Sequence, residues 1–266
     1  MTRQFHKMHG LGNDFVVIDG RLDPVTVTPT LAKALGDRHT GIGFDQLVLL
    51  EPSDVAALRM SIWNADGSPA EACGNATRCV VALTGAATIE AEGRILDGSI
   101  EGSDVEVSMA EPRFDWDAIP LADPMDTAAL PLSWGDLEAP MAVNVGNPHL
   151  VFFVKEIDEA ALVEIGPSIE HDPAFPERIN VNVAQIVADG ILLRTWERGA
   201  GLTMACGTGA CATAVAAIRQ KKAMSPVRVT MKGGSLTIAW APGTPIRMRG
   251  EATHVFAGEI DLEALA

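Results

Sequence analysis

The sequence repeats itself at an interval of half its length, and this repeat constrains the fold more than any other feature. One Trp lies ten residues before Cys73, and another lies ten residues before Cys206. Upstream, the Gly-Asn pair at 12–13 returns at 146–147, and an apolar run follows each copy. Landmarks that keep their order at an offset of 133 or 134 residues predict two similar halves related by a pseudo-two-fold axis.

Runs of Val, Ile and Leu between Gly, Pro and Asp residues predict β-strands in both halves. Helices are expected only after the two cysteines, at 75–87 and 208–223, where Ala-rich segments favour helical structure. A weaker similarity, 46–48 against 185–187, has an offset of 139 residues and requires a small insertion. The main predicted strands are 15–19, 46–50, 105–109, 181–187 and 235–240.

These patterns predict an α+β fold with two pseudo-symmetric domains, each a strongly curved, mostly antiparallel sheet or barrel around a central helix. We expect the first domain to span 1–116 and the second to span 117–266, with the last residues packing back on the first domain. The segment 113–140, which is rich in Pro, Asp and Ala, is the predicted linker.

Composition and charge exclude several classes of partner. Apolar residues make up 47% and charged residues 21% of the 266 residues, as in ordinary globular proteins. The net charge of −15 opposes attraction to nucleic acids or anionic membranes. The N-terminus has no apolar leader, and no run approaches the roughly 18 apolar residues of a spanning helix. We therefore expect a cytoplasmic protein.

The four cysteines predict neither structural disulfides nor a metal site. A cytoplasmic chain of this length does not need disulfides for stability, and the spacing lacks the C-x2-C pattern usual in structural zinc sites. Cys79 and Cys211 fall well inside the predicted helices, where a cysteine acts as a small buried hydrophobe. Cys73 and Cys206 instead stand where the helices begin, so they are the candidates for chemistry.

A cysteine immediately before a helix lies where backbone N–H groups are unpaired and the helix dipole is positive. That position is expected to lower the thiol pKa and to bind an anion such as a carboxylate. In both halves the cysteine belongs to an Ala-Cys-Gly tripeptide, at 72–74 and 205–207. The N–H donors expected to hold a carboxylate are those of Gly74, Asn75, Gly207 and Thr208.

Two helix starts brought face to face by the pseudo-symmetry would place one sulfur on each side of a substrate Cα. One cysteine, as thiolate, then removes the α-proton while the other, as thiol, protonates the opposite face. N–H donors aimed at the carboxylate stabilise the developing carbanion without a metal. No pyridoxal phosphate context and no nucleotide-binding glycine motif is present, so no cofactor is expected. Cys73 and Cys206 therefore predict a cofactor-independent amino-acid epimerase.

Several polar residues are candidates for binding the substrate. Glu197 and Arg198 can take an ammonium group and a second carboxylate, unless they form an exposed salt bridge. His149 can orient or deprotonate a thiol, or it can have a packing role. Uncharged donors and acceptors are offered by Asn13, Asn64, Asn147 and Asn180, although each alone is an ordinary turn residue.

The chain resembles the diaminopimelate epimerase family over essentially its whole length. The resemblance rests on Lys-Met-His-Gly-Leu-Gly-Asn-Asp-Phe at 7–15, Gly-Asn-Pro-His at 146–149, Glu-Arg-Gly-Ala-Gly at 197–201 and both Ala-Cys-Gly tripeptides. It implies interconversion of LL- and meso-diaminopimelate for lysine and peptidoglycan synthesis. It also implies a two-domain, pseudo-symmetric fold that closes around the substrate, and a homodimer.

The same resemblance implies roles for individual residues. Cys73 and Cys206 would be the acid and the base, with His149 and Glu197 tuning them. The chain departs from the family at Ala76, where a glycine is usual, but alanine is the better helix former and we expect the N–H donors to survive. The implied substrate-binding residues are Asn13, Gln46, Asn64, Asn147, Asn180, Glu197 and Arg198.

Three other interpretations stay open. A proline racemase-like enzyme or hydroxyproline epimerase would share the fold and both thiols, although that family is expected to have His where Asn75 stands. A thiol redox protein would form a disulfide between Cys73 and Cys206, although a C-x-x-C motif is absent. A non-catalytic binding protein would leave the two helix-start thiols without a function.

Overall fold

A computed structural model describes residues 2–70 and 73–264. Ala72, the first residue of the first Ala-Cys-Gly tripeptide, lies outside the described residues. The chain forms two compact units, Met1–Val107 with Gly250–Ala266, and Ser108–Arg249. Both combine strands with helices, so the predicted α+β class is confirmed. The division into halves at 116 and 117 stays a prediction.

The first unit is built from eight strands and two helices within the described residues. Its helices are α1 (Pro29–Gly36) and α2 (Gly74–Thr84), and a short 3-10 helix covers Leu262–Ala264. Its strands are β1 (Thr2–Gly10), β2 (Asn13–Asp19), β3 (Gln46–Glu51), β4 (Leu58–Asn64), β5 (Thr88–Ala91), β6 (Arg94–Glu101), β7 (Asp104–Ser108) and β18 (Thr253–Asp261). β18 forms the edge of this sheet and pairs with β1.

The second unit contains α3 (Glu159–Glu170) and α4 (Gly207–Arg219). A small hairpin, β8 (Ser133–Trp134) with β9 (Leu137–Glu138), stands apart from its main sheet. The strands of that sheet are β10 (Met141–Asn144), β11 (Pro148–Val154), β12 (Asn180–Val187), β13 (Gly190–Glu197), β14 (Gly201–Leu202), β15 (Val227–Met231), β16 (Gly234–Ala239) and β17 (Arg247–Glu251).

Each unit uses the same succession of strand pairings, so the predicted repeat is present in the topology. From β1 to β7 the pairs are antiparallel, parallel, antiparallel, parallel, antiparallel and antiparallel. The path β10, β11, β12, β13, β15, β16 and β17 gives the same order. Each sheet is therefore mostly antiparallel, as predicted, with two parallel pairs.

The strand registers correct one detail of the predicted repeat. Leu47 pairs with Trp63 in the first unit, and Val181 pairs with Trp196 in the second. β3 begins at Gln46 and β12 begins at Asn180, which is the offset of 134 residues found for the upstream landmarks. The proposed match of 46–48 with 185–187 is therefore wrong, because it compares the start of one strand with the end of the other.

Each unit has two helices in the described residues, where one central helix was expected. Every parallel strand pair needs a crossover, and α1, α2, α3 and α4 supply the four crossovers. The predicted helices end earlier than expected. α2 stops at Thr84 because Gly85 turns left-handed at φ 68°, and α4 stops at Arg219, two residues before Lys221 at φ 57°.

The central helices α2 and α4 are buried among strands. α4 contacts six strands of its own unit, and most of its residues, from Gly207 to Ala217, are fully buried. Small side chains such as Ala210 and Ala214 let the sheet approach closely on all sides of this helix. The outer helices α1 and α3 each pack against an apolar cluster formed with the strands of their own unit.

The segment 113–140 is not a linker. Ile119, Leu121 and Leu130 are buried in the apolar cluster that also contains Phe152 of β11 and Ile169 of α3. The prediction was wrong because it relied on the Pro and Asp content of the segment and overlooked these widely spaced buried apolar residues.

None of the α-helices in the described part of the chain is long and apolar enough to cross a membrane.

Candidate active site

Both predicted cysteines occupy the N-cap of a central helix. Cys73 precedes α2 and Cys206 precedes α4, each with an extended backbone near φ −107° and −120° respectively. The first helical hydrogen bonds run from Thr77 N to Cys73 O and from Ala210 N to Cys206 O. The N–H groups of the intervening residues therefore belong to the first helical turn and point out of the helix start, as predicted.

Cys206 forms a thiol–carboxylate pair. Its Sγ donates to Glu197 Oε2 at 3.0 Å, and Glu197 Oε1 accepts from the Thr203 hydroxyl at 2.6 Å. The Gly209 N–H caps the sulfur at 3.3 Å, and the Thr208 hydroxyl lies 3.5 Å from it. The pair arises because the β13–β14 hairpin folds the chain back, so that residue 206 lies beside the end of β13.

The surroundings of Cys206 favour its protonated form. Burial raises the pKa of this thiol well above its usual value, and the Glu197 carboxylate raises it further. Hydrogen bonds from Thr208 and from the Gly209 N–H act in the opposite direction without reversing the shift. The predicted fall in thiol pKa is therefore wrong for Cys206, because desolvation and an adjacent carboxylate outweigh the helix start.

Cys73 has different neighbours. The residue is partly exposed, its Sγ lies 3.7 Å from Asn13 Oδ1, and Asn75 Nδ2 lies 3.4 Å from the same oxygen. Asn13 Nδ2 in turn donates to Asp45 Oδ2 at 3.0 Å. Because Asp45 accepts from the amide nitrogen, the amide oxygen of Asn13 faces the thiol. Asp45 was not predicted as a site residue.

A charged cluster supports Asp45. Arg38 bonds to both Asp45 and Asp14, and Lys7 bonds to Asp14 and to the Gly43 carbonyl. Burial raises the pKa of Asp14, but the hydrogen bonds from Arg38 and Lys7 outweigh it and bring the pKa down to about 2. Asp14 is therefore ionised at neutral pH, and it anchors the loop that carries Asn13.

His149 lies in the interior of the second unit between two asparagines. It is 0% exposed, its Nε2 lies 2.8 Å from Asn147 Oδ1, and its Nδ1 lies 3.0 Å from Asn182 Nδ2. These partners assign the proton to Nε2. Burial, followed by the charge of Arg198, lowers the pKa of His149 to about 3. The ring is therefore neutral and is placed to orient Asn147, whose Nδ2 lies 3.4 Å from the Thr208 hydroxyl.

Of the other predicted polar residues, Gln46 keeps a hydrogen-bond acceptor without a described partner, whereas Asn180 and Arg198 bond to the backbone. Gln46 Nε2 donates to Asn64 Oδ1 at 3.2 Å, and its buried Oε1 has no hydrogen-bond partner among the described residues. Asn180 is committed to the backbone, because it donates to Pro148 O at 2.8 Å and accepts from Arg198 N at 3.0 Å. The Arg198 guanidinium bonds to the carbonyl of residue 177 at 3.1 Å.

The glycine that the family usually has at position 76 is not needed here. Ala76 lies inside α2, is fully buried and is not among the residues with positive φ. At the corresponding place in α4, a Cβ on Gly209 would lie 2.6 Å from Asn182 Oδ1 and 2.8 Å from Thr195 Oγ1. Only the second helix start therefore requires glycine at this position.

The remaining cysteines are buried within the helices. Cys79 and Cys211 are each 0% exposed, and burial raises the pKa of Cys79 to about 12. All four cysteines are free thiols. Within residues 2–70 and 73–264, no group of three or more His, Cys, Asp or Glu side chains is arranged to hold a metal ion.

Comparison with known proteins identifies the family. The family model described as "Diaminopimelate epimerase" matches residues 5–112 and 141–255, which include both helix starts and the His149 network. The chain belongs to the diaminopimelate epimerase family. This assignment confirms the resemblance of the sequence to a family of isomerases.

Full-length relatives support the family assignment. The diaminopimelate epimerase of Rhizorhabdus wittichii is 64% identical over 267 residues, covering 99% of this chain and 97% of the relative. The diaminopimelate epimerase of Sphingopyxis alaskensis is 60% identical over 263 residues, covering 98% of both.

Solved structures of proteins with other names have a similar fold. A probable proline racemase from Agrobacterium radiobacter matches with a TM-score of 0.70 at 16% identity, covering 98% of this chain and 93% of that chain. A phenazine biosynthesis protein of the PhzF family from Bacillus anthracis matches with a TM-score of 0.69 at 15% identity, covering 98% and 99%. At such identities the likeness concerns the fold alone, so the diaminopimelate epimerase assignment rests on the family model and the sequence relatives.

Proposed function

We propose that the protein interconverts LL- and meso-diaminopimelate by proton transfer at Cα between the thiols of Cys73 and Cys206, without a cofactor. Family membership supports the reaction and its substrate. The observation that carries the two-thiol mechanism is the repeated helix start, because each unit presents a cysteine as the N-cap of its buried central helix. The product would serve lysine and peptidoglycan synthesis.

In this proposal Cys206 enters the reaction as the thiol. Its hydrogen bond to Glu197 and its burial keep the proton on sulfur, so it delivers that proton to Cα. Cys73 removes the α-proton from the opposite face, and the roles exchange in the reverse reaction. A thiolate formed at Cys206 beside a carboxylate is a strong base, which suits a carbon acid as weak as an α-amino acid.

In this proposal the two helix starts stabilise the negative charge that develops on the substrate during proton removal. The N–H groups of Gly74, Asn75, Gly207 and Thr208 are first-turn donors that bind the substrate carboxylate and stabilise the charge that develops as Cα loses its proton. Preorganised donors of this kind contribute roughly 3–4 kcal/mol each in enzymes where one has been removed. This contribution replaces the electron sink that a cofactor would provide.

The other polar residues bind or orient the substrate in this proposal. The Oε1 of Gln46, which has no hydrogen-bond partner in the described part of the chain, accepts a hydrogen bond from an ammonium group, and Asn64 holds that glutamine in place. Arg198 pairs with the distal carboxylate through its planar guanidinium. Asn13 and Asn147 lie beside the two helix starts, where His149 orients Asn147. Asn180 accepts from Arg198 N, and Glu197 O accepts from Ala200 N, so both residues fix the turn that carries Arg198.

We further propose that the protein is a cytoplasmic homodimer. β18 is the edge strand of the first unit, and two of its apolar side chains, Val255 and Phe256, are 53% and 48% exposed. An exposed edge strand with large apolar residues is a surface that natural proteins normally cover. Sedimentation equilibrium should therefore show a dimer that Phe256→Asp converts to a monomer, while the exposed Leu22→Asp leaves it unchanged. A monomeric parent protein would contradict this proposal.

A substrate comparison tests the proposed activity. The reduced protein is incubated separately with LL-diaminopimelate, L-proline and trans-4-hydroxy-L-proline, and the stereoisomers are separated by chiral chromatography. The proposal predicts that meso-diaminopimelate forms until the two isomers reach equilibrium and that neither proline substrate is inverted. Inversion of a proline substrate without conversion of diaminopimelate would overturn it.

A further inference from the structure

Glu170, which is not among the predicted site residues, is buried against the loop that carries Glu197 and Arg198. It is the last residue of α3, and its side chain is 4% exposed. Its Oε2 accepts from the indole Nε1 of Trp196 at 2.8 Å, and its Oε1 accepts from Gly199 N at 2.9 Å. The two donors flank the Glu197–Arg198 pair directly, one on each side.

A buried carboxylate at this place has a substantial desolvation cost, so its hydrogen bonds have to be strong. Hydrogen bonds to a charged acceptor are shorter than neutral ones and roughly twice as strong. The exposed guanidinium of Arg178 lies farther away than these two donors, with its Nη1 3.8 Å from Oε1. Glu170 therefore fixes the loop mainly through the Trp196 and Gly199 donors.

Close packing makes this anchor rigid. A Cβ on Gly166 of α3 would lie 2.5 Å from the Trp196 ring, so the helix backbone and the indole are in direct contact. Gly199 adopts φ 77°, and Ala200 N closes the turn on Glu197 O at 3.0 Å. The turn between the two donors is thus short and closed, and a shift of Glu170 is transmitted to Glu197.

We propose that Glu170 is a positioning residue that holds Glu197 against Cys206. Its two hydrogen bonds to Trp196 and Gly199, which we call the clamp, fix the 196–199 loop. Glu170 acts on Glu197 through Trp196 and Gly199. Without the clamp the loop relaxes, the Glu197 carboxylate moves away from the 3.0 Å contact with sulfur, and Cys206 loses the neighbour that keeps it protonated. For its effect on catalysis, this inference rests on the proposed epimerase function.

The test compares Glu170→Gln with Glu164→Gln, a variant of an exposed carboxylate on the same helix. Glutamine keeps the shape of the side chain, but its amide group can accept only one of the two hydrogen bonds. Cys206 is alkylated with iodoacetamide across a pH series, and modification is quantified by peptide mass spectrometry. Melting temperature, kcat and KM for LL-diaminopimelate are measured on the same samples.

The clamp predicts that Glu170→Gln shifts the alkylation profile of Cys206 to lower pH by about one unit and lowers kcat about tenfold or more. Glu164→Gln should match the parent protein in both respects. A lower melting temperature with an unchanged Cys206 profile and unchanged kcat would overturn the proposal and leave Glu170 with a structural role. The alkylation profile requires no substrate, so it tests the clamp even if the proposed epimerase function fails.

A second variant keeps the test decisive if Glu170→Gln does not fold. Trp196→Phe removes the indole donor and retains an aromatic ring against Gly166. It should shift the Cys206 profile in the same direction, and in the double variant its effect should be less than additive, because both changes break the same contact. Independent, additive effects, or no shift with Trp196→Phe alone, would overturn the clamp.

Discussion

The thiol of Cys206 donates to the Glu197 carboxylate at 3.0 Å, and this contact makes the two halves of the repeat chemically different. Glu197 is the last residue of β13, whereas the last residue of β4, its counterpart in the first unit, is the uncharged Asn64. The thiol of Cys206 therefore contacts a carboxylate, whereas the thiol of Cys73 lies 3.7 Å from the amide oxygen of Asn13. This difference provides one thiol that keeps its proton in an otherwise repeated structure.

Removal of the charge at Glu197 should release the proton of Cys206 more easily. In Glu197→Gln, burial still raises the pKa of the thiol, but the contribution of the carboxylate is lost, so the pKa falls. Alkylation of Cys206 should therefore begin at lower pH, and kcat should fall about a hundredfold, within the usual range for a positioned acid or base. Glu156→Gln, an exposed change, serves as the control. An unchanged alkylation profile would count against the pair.

His149 should stay neutral throughout the physiological pH range. Its pKa is about 3 in the folded protein, because burial disfavours the charged ring, against 6.5 for an ordinary histidine. Since the folded pKa is depressed, its contribution to stability is present above pH 6.5 and is lost as the pH falls towards 3. In an NMR titration the ring signals of His149 should not move between pH 5 and 8, and the other five histidines provide internal controls. A midpoint near 6.5 for this residue would refute the assignment.

The two helix starts should respond differently to the exchange of glycine and alanine. Gly209→Ala places a Cβ 2.6 Å from Asn182 Oδ1, and such overpacking typically costs about 1–3 kcal/mol. It should also disturb the Gly209 N–H that caps Cys206, so kcat should fall. Ala76→Gly should cost about 1 kcal/mol of helix propensity and leave activity nearly unchanged. Urea unfolding and kcat check both variants, and equal effects at the two positions would be inconsistent with this account.

Asp45 should control the orientation of the Asn13 amide at the first helix start. In Asp45→Asn the new side chain can donate as well as accept, so it no longer requires the Nδ2 of Asn13 to face it. The Asn13 oxygen then turns away from Cys73, and we expect kcat to fall about tenfold. The exposed Asp54→Asn is the matched control. Equal kcat values for the two variants would show that Asp45 does not act in this way.

Local sequence predicts the elements whose signals are strong. The strands around Val16 and Val183 follow from continuous Val, Ile and Leu runs, and both central helices follow from the Ala-rich segments after Cys73 and Cys206. α1 is only eight residues long, and α3 contains Gly166 and Pro167, two residue types that disfavour a helix in a local sequence prediction. Both outer helices were missed for these reasons.

Tertiary contacts explain why part of the site was missed. Asp45 precedes Gln46 in the sequence, yet its role depends on the parallel pairing of β2 with β3, which brings it to Asn13. The raised pKa of Cys206 depends on burial and on a hairpin that returns the chain to Glu197. A cysteine at a helix start gives no indication of either. The residues of the candidate site stay predictions, and the protonation of Cys206 could not be inferred from the sequence.

The most direct test of the two-thiol mechanism follows deuterium entry at Cα together with meso-diaminopimelate formation, with the reduced protein and LL-diaminopimelate in D2O. Cys73→Ala and Cys206→Ala are compared with Cys79→Ala and Cys211→Ala, which change a buried cysteine on the same two helices. If both thiols transfer protons, each of the first two variants loses meso-diaminopimelate formation while the two controls retain it. Epimerisation at a near-parental rate by either Cys73→Ala or Cys206→Ala would contradict the two-thiol mechanism.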